Sequence, residues 1–228
     1  MKKTVGIIGG MGPLATADLF KKIIENTPAS RDQDHVRVII DNNTNIPDRT
    51  AALLSGGENP LPQMLESAKL LQNAGADALI MPCNTAHAFY DALCAELEIP
   101  VLNMISLTCE AIKARGMKKV GLLATTGTIR TGVYQKYAGE LELLLPDEAQ
   151  QEDVMKFIYS GVKAGDRSFD PSAFLAAAES LIARGAETVI LGCTELPVGK
   201  EMYSLDFPSV DPTLELAKGA VRFALSES

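Results

Sequence analysis

The sequence predicts an α/β fold of two pseudo-symmetric, doubly wound domains, with mainly parallel sheets and an interdomain cleft. Three observations carry that prediction. Short β-branched runs alternate with amphipathic segments along all 228 residues. Each run is almost continuously apolar, the pattern of a parallel strand covered on both faces. The second half of the chain also repeats the first, with the matches in the same order.

Residues 4–9 (TVGIIG) and 36–41 (VRVIID) read as the first two strands, each running into glycine or polar residues. Residues 61–73 (LPQMLESAKLLQN) have helical spacing, with Met64, Leu65, Leu70 and Leu71 near one face and a stop before Gly75. Residues 78–82 (ALIMP) form the third strand, and helical sequence (NTAHAFYDALCAEL) begins just after Cys83. A fourth strand follows at 119–124 (KVGLLA). Asp170-Pro171 supplies an N-cap and a proline at the first helical position for SAFLAAAESLIA, which Gly185 closes. Residues 188–192 (TVILG) are the last strand, and the terminal ELAKGAVRFAL is expected to pack back on the first half as a helix.

In the repeat, Val5-Gly6-Ile7-Ile8, with Gly12 and Thr16 beyond, lies over Val120-Gly121-Leu122-Leu123, with Gly127 and Thr131, at an offset of 115. Residues 74–83 (AGADALIMPC) lie over 184–193 (RGAETVILGC) at an offset of 110, and IPVLN lies over FPSVD. Chance similarity of two βα units accounts for shared glycines and aliphatics. It does not account for one cysteine at the same point of each half. The expected division is residues 1–98 plus 211–228 for one domain and 99–210 for the other.

Composition narrows the classes of function. Twenty-one Lys and Arg against 29 Asp and Glu give a net charge of −8 with no basic run, so no nucleic-acid partner is expected. The opening MKKTVGIIGGMGP sets two lysines before an apolar run, but glycines interrupt it after Ile8, short of the ~7 residues of a signal-peptide core. No stretch reaches the ~18 apolar residues of a membrane span, and no membrane association is expected. Four cysteines in a chain this long do not make a disulfide framework. Two histidines, with no CxxC, HExxH or P-loop sequence, offer no metal signature. A cytoplasmic protein with reduced thiols and no metal is the expectation.

Cys83 and Cys193 are the candidates for chemistry. Each follows a buried strand, at the carboxyl end where open α/β sheets bind ligands. Each also precedes helical sequence whose N-terminus would lower a thiol's pKa from about 8.5. Cys94 and Cys109 sit among apolar neighbours and read as small buried hydrophobes. Two thiols on opposite walls of a cleft suit inversion of a carbon that bears an acidic hydrogen. A thiolate takes the proton from one face while a thiol delivers one to the other. The carbanion then needs hydrogen-bond donors at its carboxylate. Backbone amides of the 9–13 loop around Met11, with Asn84, Thr85 and Thr194, are candidates, although Asn and Thr are also ordinary helix caps.

The motifs GIIGGMGP at the start, MPCNTAH around Cys83 and LGCTELP around Cys193 resemble the cofactor-independent aspartate/glutamate racemase superfamily, closest to its aspartate racemase branch. The resemblance spans essentially the whole chain. It implies two pseudo-symmetric α/β domains, no pyridoxal phosphate or other cofactor, Cys83 and Cys193 as the paired acid and base, and a homodimer. Glutamate racemases of cell-wall synthesis carry an Asp-Ser motif after the first strand; Gly9-Gly10-Met11-Gly12-Pro13 stands here instead, against that branch. Arg49 (NIPDRT) and Lys163 (YSGVKAG) match the positions with which aspartate-racemase relatives hold the substrate's second carboxylate. The expected reaction is interconversion of L- and D-aspartate, with glutamate second.

His87, four residues after Cys83, could orient a donor, tune the thiol or simply line a helix. A Cys-x-x-x-His zinc half-site lacks its second pair of ligands. Glu195 could bond into the cleft or serve a helix N-terminus. Other readings stay open: a cysteine-dependent isomerase or decarboxylase of the same superfamily, an amino-acid-binding module without turnover, and an NAD(P)-binding oxidoreductase. For the last, Gly10-Met11-Gly12-Pro13-Leu14-Ala15 fits G-x-G-x-x-A and Asp41 ends the next strand. Yet 29 residues separate Gly12 from Asp41 where ~20 is usual, and the paired cysteines go unexplained.

Overall fold

A computed structural model describes residues 2–226. In the first half of the chain, β1 (Val5–Gly9) lies between β2 (Val38–Asn42) and β3 (Ala78–Ile80), all parallel. α1 (Pro13–Asn26) joins β1 to β2, and α2 (Arg49–Leu54) and α3 (Leu61–Asn73) join β2 to β3. A 3-10 turn at Thr85–Phe89, α4 (Tyr90–Cys94) and α5 (Met104–Ala114) follow. In the second half, β4 (Lys119–Ala124) leads through α6 (Thr126–Arg130) and α7 (Val133–Ala138) to β5 (Glu142–Leu144). α8 (Glu148–Lys156), a π-helical turn at Phe157–Lys163 and α9 (Ser172–Ala183) then lead to β6 (Thr188–Gly192). α10 (Glu195–Met202), β7 (Ser209–Val210) and α11 (Pro212–Leu225) complete the chain. The second sheet is also parallel, in the order β5-β4-β6-β7.

Helices cover both faces of β1, β3, β4 and β6, which is why those strands are almost wholly apolar. Edge strand β2 (VIIDN) is only partly buried, with Ile40 38% exposed, against the expectation of a strand covered on both faces. On the first sheet, Met64, Ala68 and Leu71 of α3 pack with Leu79 on one face. Leu19 and Ile23 of α1 and Leu216 and Ala220 of α11 pack with Val5, Ile7 and Ile80 on the other. On the second, Val189 and Leu191 meet Phe157, Phe174 and Leu181, while Ile190 between them meets Ile105, Ile112 and Tyr134. That alternation is the pleat, and each side chain so buried is worth roughly 1.5–3 kcal/mol. α11 lies against α1 and α5, and Lys3 N–H donates to Ala224 O. Among the described residues no helix is long and apolar enough to cross a membrane.

The repeat persists down to single contacts. A Cβ on Gly6 would fall 2.6 Å from Leu79 and 3.2 Å from Leu71; one on Gly121 would fall 3.3 Å from Val189 and 2.9 Å from Leu181, the equivalent residues. Asp77 N–H donates to Thr4 O as Glu187 N–H donates to Lys119 O. The carboxylates of the same two residues accept from Thr4 N–H and Lys119 N–H. Gly75 and Gly185, at φ +91° and +95°, end α3 and α9 with the same left-handed turn.

Several local expectations are corrected. Leu70 points outward, 57% exposed, and the buried line of α3 is Met64, Ser67, Ala68 and Leu71, because a 3.6-residue period turns position 70 away from 64 and 71. Pro171 occupies the cap position of α9 rather than its first turn, and the Asp170 carboxylate accepts from Ser172 N–H and Oγ. The second strand starts at Val38 and the third stops at Ile80. β5 and β7, of three and two residues, are too short to register as a period in the sequence.

Candidate active site

β3 and β6 run in equivalent positions of the two sheets, and the chain beyond each turns into Cys83 and Cys193. The two thiols, only 6% and 7% exposed, line one narrow pocket between the halves. Met11, Arg49, Asn84 and Thr85 line it from the first half, and Lys163, Thr194 and Glu195 from the second. His87 does not.

Glu195, the first residue of α10, accepts a hydrogen bond from Cys193 Sγ at 2.9 Å and a longer one from Thr194 Oγ1 at 3.4 Å. Burial first, then the Glu195 charge and that bond, push the Cys193 thiol well above its ordinary range, with Lys163 pulling the other way. The lowering expected from a helix N-terminus is therefore outweighed by desolvation and by the carboxylate at that same terminus. Cys193 stands as a protonated thiol. Cys83 is followed by the 3-10 turn at Thr85–Phe89, which runs on into α4.

Arg49 opens α2 behind Asp48, whose carboxylate accepts from Ala51 N–H at 2.7 Å. Its guanidinium donates to Ile46 O and Pro47 O, and to Met11 O at 3.1 Å, tying the α2 loop to the loop after β1. Its Nε is buried without a protein partner. Burial opposes the Arg49 charge, but Cys83 alongside, then Asp48 and Glu195, hold the guanidinium above its usual value. Lys163 ends the π-helical turn, with Nζ 3.8 Å from Glu195 Oε1 and 4.5 Å from the centre of the Tyr159 ring. Burial opposes its charge too; Glu195, then Cys193, raise its pKa overall.

His87 lies behind Cys83. Its Nε2 accepts from Met104 N–H at 3.2 Å, so its proton is on Nδ1, which donates to Cys83 O at 2.8 Å. Burial pushes the imidazole pKa down to about 4, so the ring is neutral near pH 7. Both nitrogens are engaged, which removes it as a zinc ligand. Among the described residues no group of three or more His, Cys, Asp or Glu is placed to hold a metal.

Asp48, Thr50, Thr125 and Tyr159 also line the cavity and were not singled out from the sequence. Thr125 is the repeat partner of Gly10, and Tyr159 precedes Lys163 by four residues; those were the available signals. The hydroxyls of Thr85, Thr125 and Thr128 lie 2.9–3.0 Å from one another and join the two halves beside the cavity. Gly10, at φ +86°, packs on the Asn43 backbone, and a Cβ on Gly12 would come 3.6 Å from Glu195 Oε1. A carboxylate thus faces the start of α1, where a dinucleotide reading needs a pyrophosphate.

A model of the Asp/Glu/Hydantoin racemase family matches residues 8–220. The fold is similar to that of Picrophilus torridus aspartate racemase, with a TM-score of 0.84 and 34% identity over 97% of this chain and 94% of that one. An aspartate racemase homologue from Pyrococcus horikoshii OT3 gives a TM-score of 0.78 and 26% identity over 99% and 100% of the two chains. Broad specificity amino-acid racemase RacX of Bacillus subtilis (strain 168) is 26% identical over 223 residues, 95% of this chain and 96% of that one. With its repeated halves and the match across nearly its whole length, the chain belongs to the Asp/Glu/Hydantoin racemase family.

Proposed function

We propose that this protein is a cofactor-independent amino-acid racemase that interconverts L- and D-aspartate by a two-base mechanism. The observation that carries the reading is the pair of cysteines, from equivalent points of a repeated half, lining one pocket. The substrate's α-carbon sits between the two sulfurs. With Cys193 protonated, Cys83 as thiolate removes the α-proton and Cys193 delivers its own to the opposite face; the product leaves Cys83 as the thiol and Cys193 as the thiolate, ready for the reverse reaction. Asn84, whose amide nitrogen is buried without a protein partner, offers a donor to the α-carboxylate, whose charge grows as the α-carbon becomes planar, with Thr85 and Thr194 beside it in the same pocket. Arg49, with an unpaired Nε, and Lys163 supply the local cations that a dicarboxylate needs in a chain of net charge −8. The same reading places the cleft between domains 1–98 plus 211–228 and 99–210, and makes the working form a cytoplasmic homodimer.

The test is loss of the α-proton signal of L-aspartate by NMR in D₂O, with chiral analysis, on reduced, cofactor-free protein. Exchange should come with D-aspartate. Cys83→Ser and Cys193→Ser should each abolish racemisation; undiminished racemisation in either would refute the two-base roles. Arg49→Ala should damage aspartate turnover far more than exchange on a neutral amino acid. Exchange on neutral amino acids alone would keep the mechanism and discard aspartate as substrate, the outcome that likeness to a broad-specificity racemase makes worth measuring.

A further inference from the structure

Tyr134, in α7, is fully buried in the second half of the chain, and its phenol oxygen lies 2.6 Å from Asn84 Oδ1 in the first. Burial holds its pKa well above 10, so the phenol keeps its proton. A buried hydroxyl places that proton on an acceptor, and an amide NH₂ is not one. In the structure that acceptor is Asn84 Oδ1, which turns the amide nitrogen away from the phenol. That nitrogen is buried with no protein partner, and Asn84, 2% exposed, lines the cavity shared by Cys83 and Cys193. Buried N–H groups left unpaired cost free energy until a ligand accepts from them. Tyr134 itself does not line the cavity.

We propose that Tyr134 is a positioning residue that presents the Asn84 amide N–H to a carboxylate bound between the two cysteines. The identity of that group as the substrate's α-carboxylate rests on the racemase reading. Because the bond spans the two halves, the donor is aimed only when they are together. Without the phenol the amide is free to turn, and its oxygen facing a carboxylate is repulsive.

The test is a double-mutant cycle on the full chain, read as kcat/KM for α-proton exchange of L-aspartate in D₂O. Tyr134→Phe removes one oxygen and keeps the ring. It should lower kcat/KM by about tenfold or more, the loss of one hydrogen bond to a charged group. Asn84→Ala should cost at least as much, and the double variant no more than Asn84→Ala alone. Melting curves report folding, and Asn84→Ser carries the cycle if Asn84→Ala does not fold. A merely structural phenol would lower the melting temperature and leave the two losses multiplicative. Multiplicative losses, or an unchanged kcat/KM in Tyr134→Phe, overturn the role of Tyr134 while wild-type exchange leaves the racemase reading intact. Absence of exchange on any amino acid in the wild type overturns that reading, and the α-carboxylate assignment with it.

Discussion

Replacing His87 by glutamine should flatten the pH dependence of stability in the mildly acid range. The folded protein holds this imidazole at a pKa of about 4, against an ordinary value of 6.5. Between those values the unfolded chain binds a proton that the folded chain does not. Stability contributed by the neutral ring is therefore fully present above 6.5 and is lost as pH falls toward 4. The slope is about 1.4 kcal/mol per pH unit, and the whole window is worth roughly 3 kcal/mol. That is a large share of the ~5–15 kcal/mol that holds a typical domain folded. The cause is geometric as well as dielectric: a protonated ring would aim an Nε2–H at Met104 N–H, which only donates. Urea unfolding of wild type and His87→Gln, at a series of pH values spanning that window, reads the difference directly. The wild-type curve should fall more steeply on acidification. Parallel curves would refute the buried neutral histidine and the tautomer assigned to it.

Gly6→Ala and Gly121→Ala should each destabilise the fold by about 1–3 kcal/mol in denaturant titrations, since the new methyl meets Leu79 at 2.6 Å in one half and Leu181 at 2.9 Å in the other; unchanged midpoints would contradict the packing under both sheets. Glu195→Gln should speed alkylation of Cys193 severalfold in mild alkali, followed by mass spectrometry of its peptide, because the carboxylate that disfavours the thiolate is gone. A slower or unchanged rate would separate Glu195 from the protonation of Cys193. Lys163→Met should lower kcat/KM for aspartate by about 10–100-fold and for alanine by much less. Since Lys163 also favours ionisation of Cys193, the ratio of the two losses is the informative quantity, and equal losses would remove Lys163 from side-chain recognition.

The strands were legible wherever an apolar run had four or more residues, and α3 was legible to the residue because proline near its start and Gly75 after its end bracket it. Leu70 lies outside the buried face although its apolar neighbours suggest otherwise, because the helical angle carries it about 100° away from Leu71. β5 and β7 escaped because they owe their existence to β4 and β6 beside them rather than to any pattern of their own. Around the cavity, Cys83 and Cys193 stood out because a residue just beyond a parallel strand has its location decided by the strand. Asp48, Thr125 and Tyr159 did not, because their presence there depends on how loops from different parts of the chain converge.

By itself, then, the sequence determined the main alternation of strands and helices, the duplication and the placing of one cysteine beyond an equivalent strand of each half. Periodicity and covalent order are local, and they decide those features before any long-range contact forms. Tertiary structure alone decided the chemistry of the groups. Cys193 is held protonated by burial and by a carboxylate 2.9 Å away, although the helix start beside it argues for the opposite. Asn84 is aimed by a phenol fifty positions along the chain. His87 is neutral because of what it is buried against rather than what it stands near in sequence. Charge and hydrogen bonding depend on distance through space and on the water removed, and residue spacing encodes neither.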